Sequence, residues 1–490
     1  MTQTINSQKI PGQMLDLLEN AIASMMMKAK IPGFSIAIVM NNEIIYAKGF
    51  GARNLEANLP ATPDTLFGFG SCTKSYTALA IMQLVQEGKL KVTDPVNKHI
   101  NFKLGNKNDP ITIHHLLTHS SGMPDLGLAG NLTARLMGME KNWIPMSSWD
   151  DFFTHINGAA QELAATPGQR FAYSNESYTL LSAIVEKISR MNYEKYVKEK
   201  IFNPLKMNKS LFSQEEFKNY SNVMTGYFSK MQKGKLIEVV SSPHPFDKLV
   251  YGPGGLISNV VDQINFLTVN MNEGVFNGTR ILDASLVKEM QKIHNETQMV
   301  RNVIPGFEKE GYGYGWIILE DFFNEKLIFH PGGTNASTAF IGFIPSKKIG
   351  ISCSCNSNAG SMLVASIPLL LFSFFLGKNP MKDLKFIEIE QKLSMLTGIY
   401  ETYKGVISVM VVKRGPVLYI ESTEGSFEFN GGLSIPLFPK SEYIEDFKFF
   451  TMSGAGGKMD IDFTVDKKGK VDLFIERNRF HKVRDLSLNI

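Results

Sequence analysis

A serine and a lysine stand three residues apart near the predicted start of a helix, at Ser71 and Lys74. Residues at this spacing share one face of a helix, so the two side chains can meet. A serine hydroxyl becomes a useful nucleophile when a neighbouring base takes its proton. A lysine can be that base if burial or nearby positive charge lowers its pKa. Taken alone, the pair favours an N-capping serine beside a solvated lysine.

Two further groups of residues change that interpretation. Tyr173 and Asn175 lie just before a predicted helix, where a loop can present a phenol and an amide. His330 is followed by Pro331 and then by Gly332 and Gly333, between two apolar runs that predict strands. Together they offer what acyl transfer needs: activation of the nucleophile, a proton for the leaving group, and close approach of backbone to substrate.

In this order, the three patterns Ser-x-x-Lys, Tyr-x-Asn and His-x-Gly resemble those of the serine β-lactamase-related hydrolases. That family includes penicillin-binding proteins, class C β-lactamases, D-aminopeptidases and family VIII esterases. The resemblance covers about residues 14–376 and includes four supporting stretches, at residues 111–124, 166–168, 252–256 and 313–316.

The resemblance implies a role for each matching residue. Ser71 would form the acyl-enzyme, and Lys74 would accept its proton, alone or as a coupled pair with Tyr173. Tyr173 would pass the proton to the leaving group, and Asn175 would hold Lys74 and the substrate amide. His330 would flank the site on its strand.

The resemblance also implies an oxyanion hole, formed by backbone N–H groups. These would belong to Ser71 and to Gly333, on the small-residue edge that Gly332 begins.

One departure from the family pattern bears on the substrate. Where β-lactamases carry a lysine that holds a substrate carboxylate, this chain has His330, which is shorter and only partly charged. This disfavours β-lactams and favours a peptidase or amidase acting on small peptides, including peptides with D-residues. Two alternatives stay open, a carboxylesterase and a non-catalytic binding or assembly protein.

The composition of the chain excludes several other classes. Its 490 residues are 43% hydrophobic and 20% charged with a formal charge of +4, and no run of like charge indicates a nucleic acid or an anionic membrane as partner. Three cysteines indicate no disulfide framework, and no signal-peptide pattern occurs at the N-terminus, so we expect a cytoplasmic protein. An apolar run of about fifteen residues, Met362 to Leu376, is shorter than a membrane span and predicts a buried helix.

Metal and cofactor sites are not predicted. His115 and His119 are four residues apart, but Leu116 stands where a zinc-protease helix would need a glutamate. No nucleotide-binding motif and no Gly-x-Ser-x-Gly elbow occurs in the sequence.

The hydrophobic patterns predict an α+β catalytic domain over residues 1–376, with an antiparallel sheet, flanking helices and a helical insertion at about 100–240. A Met-rich stretch at 127–165 in the insertion predicts either helical core or a flexible lid. A polar linker is expected at 377–391, followed over 392–490 by a small antiparallel β-barrel or sandwich. This second domain resembles lipocalin-like barrels, which would cap the site, build a homo-oligomer or merely stabilise the chain.

Overall fold

The computed structural model describes residues 10–136, 146–232, 235–299, 304–423, 434–452 and 456–486. The chain forms two compact units that divide between Phe372 and Ser373, with the segment Ile304–Gly306 grouped in the second. The first unit is an α+β body and the second is a closed β-barrel. The predicted fold class is therefore confirmed.

A nine-stranded antiparallel sheet is the framework of the first unit. Its strand Gly33–Met40 pairs with Ile349–Cys355 on one side and with Glu43–Asn54 on the other, so the two ends of this unit meet within the sheet. From edge to edge the strands are Asn295–Glu296, Glu310–Tyr312, Ile317–Phe322, Glu325–Gly333, Thr338–Ile344, Ile349–Cys355, Gly33–Met40, Glu43–Asn54 and Leu59–Pro60. The apolar run before His330 forms the strand Glu325–Gly333, which continues through the His-x-Gly residues and places them inside the sheet.

The helix Thr73–Gln86 lies at the centre of this unit, where it packs against the helices Asn175–Ser189 and Tyr251–Gly254. Every residue from Thr73 to Leu84 is buried, as expected of a helix surrounded on all sides. The other α-helices are Gly12–Ala29, Ile113–Leu117, Leu128–Leu136, Trp149–Asn157, Tyr193–Val197, Gln214–Lys218, Val260–Met271, Ala284–Met290 and Ser361–Phe375. Because the central helix excludes water on all sides, any charged group on its first turn must be desolvated.

The predicted helical insertion contains five of these shorter helices and a hairpin of Gly226–Gln232 with Lys235–Ser242. In the Met-rich stretch, Leu128, Leu132, Met146 and Phe152 are buried in the core. Residues 137–145, which include Met137, Met139 and Trp143 of this stretch, lie outside the described residues. The described part of this stretch agrees with the helical-core alternative.

The apolar helix Ser361–Phe375 contains Pro368. Together with the three residues before it, it makes an 18-residue segment, Asn358–Phe375, that is long and apolar enough to cross a membrane. Of this segment, 56% is buried within the protein. Core helices of globular proteins share these features.

Eight antiparallel strands close the barrel of the second unit. They are Gly398–Glu401, Ser408–Arg414, Val417–Ser422, Ile435–Pro439, Lys448–Met452, Lys458–Val465, Val471–Ile475 and Asn478–Arg484. The predicted linker differs from what the structure shows, because it contains the helix Pro380–Asp383 and most of the helix Lys385–Leu396. The second helix buries Leu393 and Leu396 in the barrel core, so these residues belong to the folded unit.

Candidate active site

Ser71 lies in a short 3-10 turn, Gly70–Cys72, that leads directly into the helix Thr73–Gln86. Gly70 has a φ of +49°, which glycine adopts without strain. The Thr73 hydroxyl fixes the turn, since it donates to the Gly70 carbonyl at 2.6 Å and accepts from the Leu256 N–H at 3.1 Å. The turn thus presents Ser71 at the N-terminal end of a buried helix.

The amine of Lys74 is fully buried and contacts three oxygens. Its Nζ lies 3.0 Å from Ser71 Oγ, 2.8 Å from Asn175 Oδ1 and 2.8 Å from the Pro253 carbonyl oxygen. The last two oxygens can only accept hydrogen bonds. A neutral lysine has two N–H bonds for them, which leaves its lone pair free to accept the Ser71 hydroxyl proton.

Burial favours this neutral form. Desolvation lowers the pKa of Lys74 from its ordinary 10.5 to about 7, although the charges of Asp125 and Glu176 act in the opposite direction. The structure therefore brings the Ser71 hydroxyl within hydrogen-bonding distance of an amine that burial shifts toward its neutral form.

Tyr173 contacts both Ser71 and Lys74. Its hydroxyl hydrogen-bonds the Ser71 side chain, and its ring centroid lies 4.8 Å from Lys74 Nζ. Desolvation raises the pKa of the Tyr173 hydroxyl above its ordinary value of 10. Tyr173 is therefore a neutral phenol, which can accept a hydrogen bond and donate its proton, rather than a phenolate.

His119 holds Tyr173 in place. The two ring centroids are 4.3 Å apart, and His119 Nδ1 accepts a hydrogen bond from the backbone N–H of Ser174 at 3.1 Å. Burial lowers the pKa of His119, so the ring is neutral. His115 instead accepts from the Thr112 N–H as part of a helix cap, so the two histidines have separate structural contacts. Among the described residues, no group of three or more histidine, cysteine or acidic side chains could hold a metal ion.

Asn175 is the first residue of the helix Asn175–Ser189. Its Oδ1 holds Lys74, as the sequence predicts. Its Nδ2 donates to Asp125 Oδ2 at 3.1 Å, which leaves one N–H for the substrate amide that the resemblance assigns to it. The Asn175 side-chain amide therefore links the Lys74 amine to the Asp125 carboxylate.

His330 differs from the expectation of a partly charged group. Its Nδ1 donates to the Pro331 carbonyl at 2.6 Å, and its Nε2 accepts from the Tyr312 hydroxyl at 2.9 Å. Burial and the nearby Lys74 lower the pKa of His330 to about 3, so the ring is neutral at physiological pH. It lies 6.3 Å from the Tyr173 ring, between centroids, and cannot hold a substrate carboxylate as a cation does.

Gly332 allows the strand edge to approach the nucleophile turn. A Cβ on Gly332 would lie 1.8 Å from the Phe69 carbonyl oxygen, and one on Gly70 would lie 2.5 Å from the Gly333 nitrogen. Both distances are far shorter than the van der Waals contacts that Cβ atoms make in proteins. The backbones of Gly333 and of the turn that carries Ser71 are thus in direct contact, the arrangement that an oxyanion hole of their N–H groups requires.

Sequence reasoning missed Asp125, Glu176 and Tyr312 and assigned no role to His119. Signals were present: Asp125 directly follows the family-like stretch 111–124, in which His119 lies, and Tyr312 directly precedes the stretch 313–316. Their contacts depend on side chains from distant parts of the chain, which the sequence pattern does not show.

Comparison with known proteins matches the two units of the chain to two different families. Residues 18–371 match the Beta-lactamase family, and residues 380–481 match the Pab87 octamerisation domain. The octameric penicillin-binding protein homologue from Pyrococcus abyssi is 40% identical, with a TM-score of 0.85 over 96% of this chain and 100% of that one.

Two further relatives share the catalytic unit. Protein flp of Staphylococcus aureus (strain MW2) is 30% identical over 345 residues, which are 70% of this chain and 63% of that protein. The chain thus spans less than two thirds of that relative. A D-stereospecific amidohydrolase from Streptomyces sp., 19% identical with a TM-score of 0.59 over 74% of this chain and 99% of that one, has the same fold.

The burial of Lys74 predicts the pH dependence of the reaction. Because the base must be neutral and its pKa is about 7, kcat/KM should fall about tenfold per pH unit below pH 7 and level off above it. The measurement is kcat/KM for p-nitrophenyl butyrate from pH 5 to 9, with the Ser71→Ala rate subtracted. A rate that stays constant down to pH 5 would exclude Lys74 as the titrating base.

The close approach at Gly332 predicts a steric effect. Gly332→Ala should lower kcat/KM by about a hundredfold, since the strand must shift by about an ångström. Gly333→Ala should cause a much smaller loss, because its added Cβ would lie 4.0 Å from the nearest atom. Circular dichroism would verify that both variants fold. Equal activities of the Gly332→Ala and Gly333→Ala variants would show that the strand edge does not position the site.

Proposed function

Since the chain belongs to the Beta-lactamase family of serine hydrolases, we propose that it is a serine peptidase or amidase that acts through an acyl-enzyme on Ser71. The observation that carries this proposal is the environment of Lys74 Nζ. Its three contacts are with Ser71 Oγ, Asn175 Oδ1 and the Pro253 carbonyl oxygen; in the neutral amine the last two take the two N–H bonds, so the lone pair is available to the Ser71 hydroxyl.

The first half of the reaction follows from these contacts. Lys74 takes the hydroxyl proton while Ser71 Oγ attacks the substrate carbonyl carbon. The carbonyl oxygen becomes an oxyanion, which the N–H groups of Ser71 and Gly333 stabilise. The raised pKa of Tyr173 supports Lys74, rather than a Tyr173 phenolate, as the proton acceptor.

Breakdown of the tetrahedral intermediate needs a proton on the leaving nitrogen. The Tyr173 hydroxyl, which hydrogen-bonds Ser71 Oγ, can donate its proton there and regain one from Lys74. Water then releases the acyl group by the same steps in reverse. A relay of this kind matters most for an amine leaving group, because an ester's alkoxide is a far weaker base than an amide anion. This supports an amidase over a carboxylesterase.

Side-by-side rates test this proposal. We expect Ser71-dependent cleavage of D-alanyl or L-alanyl p-nitroanilide as well as of p-nitrophenyl butyrate, with Ser71→Ala below about 1% of wild type. Tyr173→Phe should lower the anilide rate more than the ester rate. Cleavage of the ester alone would make the protein an esterase.

A fluorophosphonate probe gives an independent control for the nucleophile. It should label the wild-type protein and Cys72→Ala but not Ser71→Ala, because Cys72 is buried and its thiol pKa is raised. An unlabelled wild-type protein would instead indicate a non-catalytic binding or assembly protein.

We also propose that the chain forms a homo-oligomer through its barrel. The match of residues 380–481 to an octamerisation domain and the 40% identity to an octameric protein support this. The barrel unit also exposes large apolar side chains, with Tyr403 77% and Val406 72% exposed.

Light scattering on the full-length chain should therefore give a mass close to eight chains. Tyr403→Lys combined with Val406→Lys should lower that mass, whereas Lys468→Glu on a turn should leave it unchanged. A monomer at micromolar concentration would contradict the proposal.

A further inference from the structure

Two consecutive carbonyl groups beside the active site are held by the helix that carries Lys74. The Pro253 carbonyl accepts from Lys74 Nζ at 2.8 Å, and the Gly252 carbonyl accepts from Thr77 Oγ1 at 2.7 Å. Lys74 and Thr77 lie three residues apart, so both side chains project from one face of the helix Thr73–Gln86. The helix therefore contacts the segment that orients its own lysine at a second, adjacent point.

The Thr77 hydroxyl is the middle member of a chain of two buried hydrogen bonds. Its oxygen also lies 2.7 Å from the Tyr193 hydroxyl oxygen, and both side chains are buried. A carbonyl oxygen can only accept, so Thr77 uses its single proton on Gly252, whose carbonyl oxygen is nearer than that of Thr73 at 3.4 Å. Tyr193 must then donate to Thr77. Burial raises the pKa of the Tyr193 hydroxyl, so the hydroxyl keeps the proton that it donates.

One rotatable bond separates the Gly252 carbonyl from the carbonyl that Lys74 contacts. The Gly252 carbonyl belongs to the planar peptide group that ends at the Pro253 nitrogen. The proline ring fixes φ of Pro253, so only its ψ remains to set the direction of the Pro253 carbonyl. Holding Gly252 therefore restricts the Pro253 carbonyl more strongly than it would restrict that of any other residue type.

The backbone at Gly252 is also packed closely against a second helix. A Cβ on Gly252 would lie 2.6 Å from the Tyr178 carbonyl oxygen and 2.7 Å from Ser182 Cβ. Both belong to the helix Asn175–Ser189, whose first residue supplies the other oxygen that accepts from Lys74. Gly252 is thus confined between this helix and Thr77.

We propose that Thr77 and Tyr193 are positioning residues, whose two hydrogen bonds hold the Pro253 carbonyl where it orients the Lys74 amine toward Ser71. This inference rests on the proposed function, in which Lys74 is the base. A neutral amine keeps its lone pair directed at the Ser71 hydroxyl only while fixed acceptors take its N–H bonds. A loosely held Pro253 carbonyl would let the amine rotate away.

Thr77→Val tests this role, because valine has the shape of threonine without the hydroxyl. The Gly252 carbonyl loses its donor, so the Pro253 carbonyl is held less firmly. We expect kcat for p-nitrophenyl butyrate to fall about tenfold, with little change in KM. Thr77→Ser retains the hydroxyl and should recover most of this loss.

The pH profile separates positioning from a loss of stability. A carbonyl that accepts from Lys74 stabilises the ammonium form more than the neutral form, so a weakened contact lowers the pKa of Lys74 further. In Thr77→Val the acid limb of kcat/KM, measured from pH 5 to 9, should therefore move to lower pH while the plateau falls. A merely structural role would lower the plateau and leave the acid limb in place. The substitution alters none of the other charged and titratable groups around the Lys74 amine, which are Cys72, His119, Asp125, Tyr173, Glu176, Tyr178 and His330.

Tyr193→Phe provides a second variant, since it removes only the outer hydrogen bond of the chain. It should lower kcat by about threefold, less than Thr77→Val does, and should move the acid limb in the same direction. Tyr76→Phe is the matched control, because it removes a buried hydroxyl from the same helix. That hydroxyl donates to Gln263 Oε1 at 2.8 Å, on the helix Val260–Met271, so neither the plateau nor the acid limb should change.

The results distinguish this inference from the proposed function. A Ser71-dependent activity that Thr77→Val and Tyr193→Phe leave unchanged would overturn the positioning role but not the hydrolase. A loss without movement of the acid limb, or one that Thr77→Ser does not restore, would also overturn the positioning role. If circular dichroism shows that Thr77→Val does not fold, the acid limb of Tyr193→Phe decides in its place. Absence of Ser71-dependent activity in the wild-type protein would contradict both proposals.

Discussion

A primary amine without access to water is the feature on which the rest of the site depends. Charging Lys74 in its buried position is costly, because burial removes the water that would solvate the ammonium group. The helix Thr73–Gln86 creates that position by being enclosed on all sides. The Asn175 and Pro253 oxygens then orient the neutral amine toward Ser71. A solvated lysine would stay protonated and leave the serine without a base.

The groups around this amine come from separate elements, and each is fixed by contacts with backbone. His119 holds the N–H of Ser174 next to Tyr173, and Glu176 holds two N–H groups of the loop that carries Asp125. Little reorganisation is then needed when charge develops in the transition state. The rigidity has a structural origin, since buried polar side chains lose stability unless their hydrogen bonds are made.

The spacing of Ser71 and Lys74 allowed the two side chains to meet, but their pairing was predicted only when the Tyr-x-Asn and His-x-Gly patterns were considered with it. The sequence pattern did not reveal that His330 is neutral. A histidine can be charged or neutral, and the buried contact with Tyr312 on another strand determines which form His330 takes. The helix Lys385–Leu396 was missed because its polar first half resembles a linker. The barrel strand Asn478–Arg484 is likewise mostly polar and lacks a clear alternation, so the sequence pattern does not mark it as a strand.

The junction of the turn at Gly70 with the strand at Gly332 leaves no room for even a methyl group on either residue. A side chain at either position must therefore displace the turn or the strand, and with it the backbone beside Ser71. Substitutions intended to alter substrate preference are then better placed on side chains away from this junction, where they leave the backbone beside Ser71 unmoved.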